Sequence, residues 1–156
     1  MRFEELRFVC TEAAKDLVQQ HREDHVPPTI VLPGPERTRL LTLPRFPEDD
    51  EQRHAYLAQF AEDEISKNLI PAWGFVAEAE DSSGHDVVVV VYGARRHPPE
   101  LTAARLRQGE LDEFVPPEEL DPTAMPFLHP LQHAVDALPA LEDPSQAGGL
   151  PMFGDG

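Results

Sequence analysis

Two stretches of the chain place apolar residues three and four positions apart, which is the spacing of an amphipathic helix. The first predicts a helix over residues 3–22, ending before Pro27 and Pro28. The second predicts a helix that begins in the acidic run after Pro47, which suits the positive end of a helix dipole, and ends at Pro71. The first apolar stripe consists of Phe3, Leu6, Cys10, Ala13, Leu17 and His21, and the second of Tyr56, Leu57, Phe60, Ala61, Ile65 and Leu69.

Two other stretches have the pattern of short strands joined by turns. The segments TIVL and TRLLTL flank the turn sequence PGPER, and AWGFVAEAE and HDVVVVVYGA flank DSSG. A turn over residues 81–84 predicts that Trp73 lies opposite Tyr92 and that Glu80 lies opposite His85. Because the valine run has no polar face, we expect both faces of its strand to be covered and the strand to be central in its sheet.

The order of these elements predicts an α+β fold. We expect an αββαββ order, with a four-stranded, mainly antiparallel sheet and two helices packed on one face, in a small domain over residues 1–107. A split βαβ arrangement is also compatible with this order. Residues 100–107 are predicted to form a short helix.

The composition changes after this domain. Residues 108–156 contain ten acidic and no basic residues, whereas residues 1–107 contain 13 basic and 19 acidic residues. Eight prolines follow residue 115. Such a segment buries too little apolar surface to offset its ordering entropy, so we expect an acidic, proline-rich tail that is largely disordered, with one short helix near residues 130–138.

The overall charge restricts the classes of partner. A formal net charge of −16 argues against binding to nucleic acid or to an anionic membrane, because both require a cationic surface. The N-terminus does not have the pattern of a signal peptide, and the longest apolar run is too short to span a bilayer. We therefore expect a soluble, cytoplasmic protein, and the ratio of eleven arginines to two lysines is typical of a GC-rich bacterium.

Motifs for cofactors are missing from the sequence. It contains no phosphate-binding loop, dinucleotide-binding fingerprint, calcium-binding loop or zinc-finger spacing, and we expect no cofactor. The single cysteine, Cys10, excludes an internal disulfide, and its place on the first apolar stripe predicts a core thiol.

A cationic cluster, Arg95, Arg96 and His97, follows the valine run. Paired guanidinium groups suit a carboxylate or phosphate, so the cluster is a candidate anion-binding site. The alternative is a solvated end of a strand, which the absence of a phosphate-binding loop favours. In a third interpretation the cluster holds the acidic tail of the same chain through salt-sensitive ion pairs.

Histidines four residues apart at His21 and His25 are candidate metal ligands, because that spacing puts both on one face of a helix. A polar helix terminus is the interpretation we favour, since histidine is favourable near the negative end of the helix dipole. His129 and His133 repeat the spacing.

Carboxylates form a further candidate site. Glu78 and Glu80 share one face of their strand, Asp81 and Asp86 lie near the same turn, and His85 is the obvious partner. Paired carboxylates perform acid–base chemistry or hold a cation, although we favour a solvent-facing strand surface.

These observations favour a non-enzymatic protein-interaction module with an acidic C-terminal arm. Its partner would be a protein with a basic patch, or the cluster at residues 95–97 would bind the chain's own tail. The alternative is a small metal-assisted or acid–base enzyme acting on an anionic substrate. It would use His21 and His25, or Glu78, Glu80 and His85, with Arg95 and Arg96 orienting the substrate. Mimicry of nucleic acid by the acidic surface is a third hypothesis.

Overall fold

The fold is described from a computed structural model, which describes residues 1–22 and 24–139. Within these two ranges the chain forms three helices: α1 (Phe3–Gln20), α2 (Asp50–Phe60) and α3 (His129–Asp136). A π-helical turn, Ala61–Ser66, continues α2, and a 3₁₀ turn, Pro126–Leu128, precedes α3. The strands are β1 (Thr29–Pro33), β2 (Thr38–Thr42), β3 (Ala72–Glu80), β4 (Asp86–Ala94), β5 (His97–Arg107), β6 (Glu110–Leu111) and β7 (Glu118–Glu119).

The strands form one curled antiparallel sheet in the order β2-β1-β3-β4-β5-β6, with β7 also paired to β5. The α+β class is therefore confirmed, whereas the predicted four strands and their order are wrong. The main cause is β5, which was predicted over residues 100–107 as a short helix. Pairing with the whole length of β4 overrides the helical preference of this segment.

Both predicted hairpins and both predicted helices are present, but both helices are shorter than predicted. The first helix ends at Gln20 rather than at residue 22. The second helix, including its π-helical turn, ends at Ser66 rather than at Pro71, so Leu69 lies beyond it and is exposed. The second helix begins in the predicted acidic run, where the Asp49 side chain accepts a hydrogen bond from the Gln52 N–H at 3.0 Å. This is the N-terminal capping that such a sequence favours.

Helices cover both faces of the sheet, so the prediction of two helices on one face is wrong. On one face, α1 packs on Val76, Val88, Val90 and Tyr92. On the other face, α2 and α3 pack on a layer that includes Trp73, Phe75, Val89 and Val91. The valine run explains this arrangement, because a strand that is apolar on both faces requires cover on both. β4 lies inside the sheet, as predicted.

The register between β3 and β4 differs by one residue from the predicted one. Trp73 pairs with Gly93 and Tyr92 with Gly74, while Glu80 pairs with Asp86 rather than with His85. The reason is a five-residue turn over residues 81–85, in which the Asp81 N–H bonds to the His85 carbonyl at 2.9 Å.

Each of the two aromatic side chains consequently lies opposite a glycine. A Cβ atom at Gly74 would collide with the Cys10 Sγ of α1, and one at Gly93 would collide with the Gln132 Oε1 of α3. The two glycines therefore allow helices to approach the sheet on its opposite faces. Cys10 is fully buried there, and burial raises the pKa of its thiol to about 12, in agreement with a core role.

Much of the predicted tail is part of the fold. Residues 108–139 include β6, β7 and α3, and the predicted helix near residues 130–138 is present as His129–Asp136. This part of the chain joins the fold because its few apolar side chains are concentrated where they meet the core. Those that are buried are Leu120, Phe127, Leu128, Leu131, Ala134, Val135 and Leu138. The rest of the predicted tail, residues 140–156, lies outside the described residues. The predicted domain boundary at residue 107 is tested by the shortened chains considered in the Discussion.

No helix among the described residues has the length and apolar character needed to cross a membrane.

Candidate functional site

The tightest contact between two predicted site residues joins His25 and Glu78. Glu78 lies on β3, on the face that α1 covers, and its side chain is only 10% exposed. One carboxylate oxygen accepts a hydrogen bond from the Val26 N–H at 3.0 Å, and the other lies 2.7 Å from the His25 Nδ1. Both oxygens of a nearly buried carboxylate are thus satisfied.

This contact changes the titration of the histidine. The pKa of His25 is raised above its ordinary value by the hydrogen bond to Glu78, then by the negative charges of Glu78, Asp86 and Asp24. The His25 side chain is 90% exposed, so its second ring nitrogen is open to solvent. A carboxylate that orients one nitrogen of an imidazole leaves the other available for proton transfer.

A cleft of about 360 Å³ surrounds the pair. It lies between the end of α1, the turn end of β3 and β4, and the turn after β5. Its polar lining consists of His21, Arg22, Asp24, His25, Glu78, Asp86 and Gln108. The cleft therefore combines carboxylates with imidazole and guanidinium groups.

The predicted metal pair is not arranged on one helical face. α1 ends at Gln20, so His21 is its C-terminal cap and His25 lies in the loop beyond it. Among residues 1–22 and 24–139, no group of three or more histidine, cysteine, aspartate or glutamate side chains is placed to hold a metal ion.

The other predicted acid–base residues lie outside this contact. Glu80 is exposed at the end of β3, and His85 approaches Asp81 at 3.7 Å across the turn. Backbone hydrogen bonds from His85 and Ser83 lower the pKa of Asp81. These bonds stabilise the turn. Glu78 therefore contacts His25, whereas Glu80 and His85 lie apart from this contact.

The cluster Arg95, Arg96 and His97 lies at the opposite end of β4. Nine residues of strand separate the two ends, which is roughly 26 Å at the usual rise. Arg95 and Arg96 consequently cannot orient a substrate held beside Glu78. Whether they bind an external anion stays a prediction.

This turn contacts the end of the described chain. The Arg95 Nε donates to the Leu138 carbonyl at 3.0 Å, and the Arg96 N–H donates to the Asp136 carboxylate at 2.6 Å. Gln132 of α3 donates to the carbonyls of Ala94 and His97 at 2.9 and 3.2 Å. These contacts come from the segment assigned to the tail by composition, although they involve mostly backbone atoms.

A second feature was not predicted from the sequence. Residues 110–121, here called the strap, run along the edge of β5. The Val115 N–H donates to the Ala103 carbonyl at 2.9 Å, and the Thr102 hydroxyl donates to the Val115 carbonyl at 2.5 Å. At the end of the strap, the Leu120 N–H donates to the Pro99 carbonyl at 3.0 Å.

The strap and α1 enclose a groove of about 480 Å³. Phe8, 65% exposed, and Val115, 55% exposed, both line it. The remaining lining residues are Glu4, Arg7, Thr11, Thr102, Phe114, Pro116 and Pro117. Phe8 does not belong to the apolar stripe of α1. A large aromatic residue on the otherwise polar face of the helix is the sequence signal that would have indicated an apolar outer surface.

The strap, which forms one wall of the groove, is acidic, whereas the groove lining itself holds one acid, Glu4, and one base, Arg7. All acidic residues of the strap are exposed: Glu110, Asp112, Glu113, Glu118, Glu119 and Asp121. Among the described residues, the only ion pair made by these six is that of Asp112 with the Arg107 Nε, at 2.9 Å.

A smaller cavity of about 320 Å³ adjoins the groove and shares Glu4, Arg7 and Pro117 with it. Inside it, the Tyr92 hydroxyl donates to the Glu100 carboxylate at 3.2 Å. Burial, then the charge of Glu100, raises the pKa of Tyr92 above its ordinary value, so the hydroxyl remains a hydrogen-bond donor.

Comparison of the chain with protein-family models, with curated proteins and with solved structures finds no match.

Proposed function

We propose that this protein is a cytoplasmic protein-interaction module whose binding surface is the groove between α1 and the strap. The observation that carries the proposal is the joint exposure of Phe8 and Val115 in one groove, of which the acidic strap forms one wall. An apolar centre within a polar rim is the general composition of a protein interface.

The charge of the rim defines the partner. A segment with apolar side chains flanked by lysine or arginine would place its apolar groups against Phe8 and Val115 and its cations beside the strap. Rim charges act mainly on the rate of association, so binding should weaken as ionic strength rises. The same charge disfavours nucleic acid as the partner.

Selection from a random peptide library displayed on phage tests this proposal without a known partner. The full chain is the target, and we expect the selected peptides to combine basic and apolar residues. Their affinity should fall at least about tenfold for Phe8→Glu and Val115→Glu, because each change places a charge in the apolar centre. Leu69→Glu is the matched control, since Leu69 is 46% exposed and is not among the residues that line the groove.

Two results would contradict the proposal. One is a set of selected peptides without basic residues. The other is a peptide affinity that is as high for Phe8→Glu and Val115→Glu as it is for the control Leu69→Glu. Circular dichroism of each variant separates loss of binding from loss of folding.

A second candidate function is acid–base catalysis on an anionic substrate. It is favoured by one observation, the 2.7 Å contact between His25 and Glu78 beside Arg22 in a cleft. In this hypothesis His25 accepts or donates the proton, and Glu78 orients the His25 ring. Arg22 replaces Arg95 and Arg96 as the group that binds the anion. Hydrolysis of a panel of chromogenic phosphate and carboxylate esters tests it. Turnover that is equal in wild type, His25→Gln and Glu78→Gln would exclude the hypothesis. Metal analysis of the purified protein tests the metal-assisted version.

A further inference from the structure

The two edges of the sheet differ in whether another segment of the chain is hydrogen-bonded to them. The strap covers the edge at β5 through backbone hydrogen bonds. At the other edge, β2 pairs with β1 on one side only, and no described strand lies beyond it. An exposed strand edge presents free N–H and C=O groups that another strand can pair with.

The phase of the β1–β2 ladder shows which groups point outward. The Gly34 N–H bonds to the Arg37 carbonyl at 2.9 Å, and the Leu43 N–H bonds to the Pro28 carbonyl at 2.8 Å. In an antiparallel pair alternate residues bond to the same neighbour, so residues 37, 39, 41 and 43 face β1. The N–H and C=O groups of Thr38, Leu40 and Thr42 therefore face away from the sheet.

The outward-facing residues are symmetric in sequence about Leu40, because a threonine lies two positions before it and another two positions after it. If a second copy of β2 is placed antiparallel with Leu40 opposite Leu40, Thr38 lies opposite Thr42 at both ends. Each of the three outward residues then meets an outward residue of the other copy. Such a two-fold ladder satisfies all the outward backbone groups of both strands, which is the self-complementarity that a symmetric dimer requires.

The side chains of this edge fit the same pairing. Leu40 is 38% exposed and lies on the same face of the sheet as its partner Val31, which is the face that α1 covers. Threonine and leucine cross-strand pairs are favourable. Charged side chains on an edge strand oppose pairing, and β2 carries a single one. The nearest charge, Arg39, is paired with the Glu64 carboxylate at 3.1 Å.

We propose that β2 is a homodimerisation edge, at which two copies of this chain pair antiparallel about Leu40 to form one continuous sheet. A five-residue ladder is short beside the roughly 1,200–2,000 Å² of a standard stable interface, so we expect a weak dimer that requires high-micromolar protein. Two copies that each carry −16 repel one another, so salt strengthens the dimer. Salt has the opposite effect on binding at the groove.

Amide hydrogen exchange of the full chain, followed by NMR from low to high micromolar concentration, tests the proposal. The amides of Thr38, Leu40 and Thr42 should become at least about tenfold more protected as concentration rises, because pairing removes them from solvent. The amides of Arg39 and Leu41 bond to β1 and serve as an internal control, with protection that is independent of concentration.

Two variants separate the ladder from the side chain. Leu40→Pro removes an outward N–H without removing a bond to β1, so we expect a folded chain that sediments as a monomer at all concentrations. Leu40→Lys places two like charges opposite each other at the two-fold axis and should have the same effect, which keeps the test valid if the proline variant fails to fold. Leu69→Lys is the control and should dimerise as the wild type does.

Two outcomes overturn the proposal: a wild-type chain that remains monomeric at high protein and salt concentration, or a dimer whose newly protected amides lie outside β2. Neither outcome affects the groove, where Phe8→Glu remains the deciding variant.

Discussion

At the scale of single residues, Glu78 links the segment after α1 to the sheet. It does so through the Val26 backbone and the His25 ring. The pKa of His25 is higher in the folded than in the unfolded chain, so the protonated ring is the form that the fold stabilises. This contribution is fully present below the ordinary histidine pKa of about 6.5 and is lost as the pH rises through the raised value.

We therefore predict that His25→Ala lowers the free energy of unfolding more at about pH 6 than at about pH 9. Denaturant titration at the two pH values measures this difference. His54→Ala is the control, since His54 is also exposed and makes no hydrogen bond or ion pair among the described residues. In addition, Glu78→Gln should lower the NMR titration midpoint of the His25 ring. An unchanged midpoint would show that the contact does not form in solution.

Gln132 is the second residue with a testable role, because its side chain connects α3 to the carbonyls of Ala94 and His97 on the two sides of the β4–β5 turn. Its Oε1 accepts the indole N–H of fully buried Trp73 at 2.9 Å. We predict that Gln132→Ala lowers the free energy of unfolding by about 1–3 kcal/mol, the cost of leaving a buried donor unsatisfied. Trp73 is the only tryptophan, so its fluorescence during denaturation reports directly on this site.

The control for this prediction is Gln59→Ala. Gln59 is exposed on α2 and bonds only to Asp63 among the described residues. Its replacement should change stability by less than about 0.5 kcal/mol. Equal effects of the two substitutions would show that the Trp73 contact contributes nothing specific.

At the scale of elements, α3 and the 3₁₀ turn before it complete the core. Phe127, Leu128, Leu131 and Val135 are buried, and each such side chain contributes about 1.5–3 kcal/mol. Together they match a large part of a typical stability of about 5–15 kcal/mol. We predict that a chain ending at residue 107 lacks a cooperative unfolding transition, whereas a chain ending at residue 139 retains one.

Two-dimensional amide NMR spectra of the two shortened chains measure this difference. A dispersed spectrum from residues 1–107 would contradict the prediction and support an independent domain over those residues. A collapsed spectrum from residues 1–139 would show that the remaining residues contribute to the core.

The elements also show where local sequence is a poor guide. Residues 100–107 have a helical composition, yet they form β5, because the tight turn at Arg95 and Arg96 returns the chain directly along β4. Arg96 has a φ of 61°, a left-handed conformation that is uncommon outside glycine. Composition alone did not indicate this turn, and the contacts of α3 with it hold it in place.

At the scale of the whole molecule, the net charge of −16 opposes compaction. We predict that raising the NaCl concentration from low to physiological values raises the Tm, since screening reduces this repulsion. For a chain of this size each kcal/mol gained corresponds to roughly 2–4 °C. Thermal scans followed by circular dichroism measure the shift.

A second salt of equal ionic strength is the control, because screening depends on ionic strength and not on ion type. A Tm that falls with added salt would show that the ion pairs outweigh the general repulsion. Different shifts with the two salts would indicate binding of a specific ion.

The sequence by itself determined the features that depend on neighbouring residues. Helix periodicity located α1 and α2, the acids after Pro47 marked the start of α2, and the valine run required cover on both faces of β4. These signals are local, because a helix or strand face is set by residues a few positions apart.

Only the tertiary structure decided the features that join distant parts of the chain. The five-residue turn set the β3–β4 register, and the partner of Glu78 proved to be His25, 53 positions away, instead of His85. The strap is positioned by its hydrogen bonds to the edge of β5, and this position creates the groove beside Phe8. Such contacts follow from how strands pair and helices pack across the whole fold, and a local pattern of polar and apolar residues does not specify them.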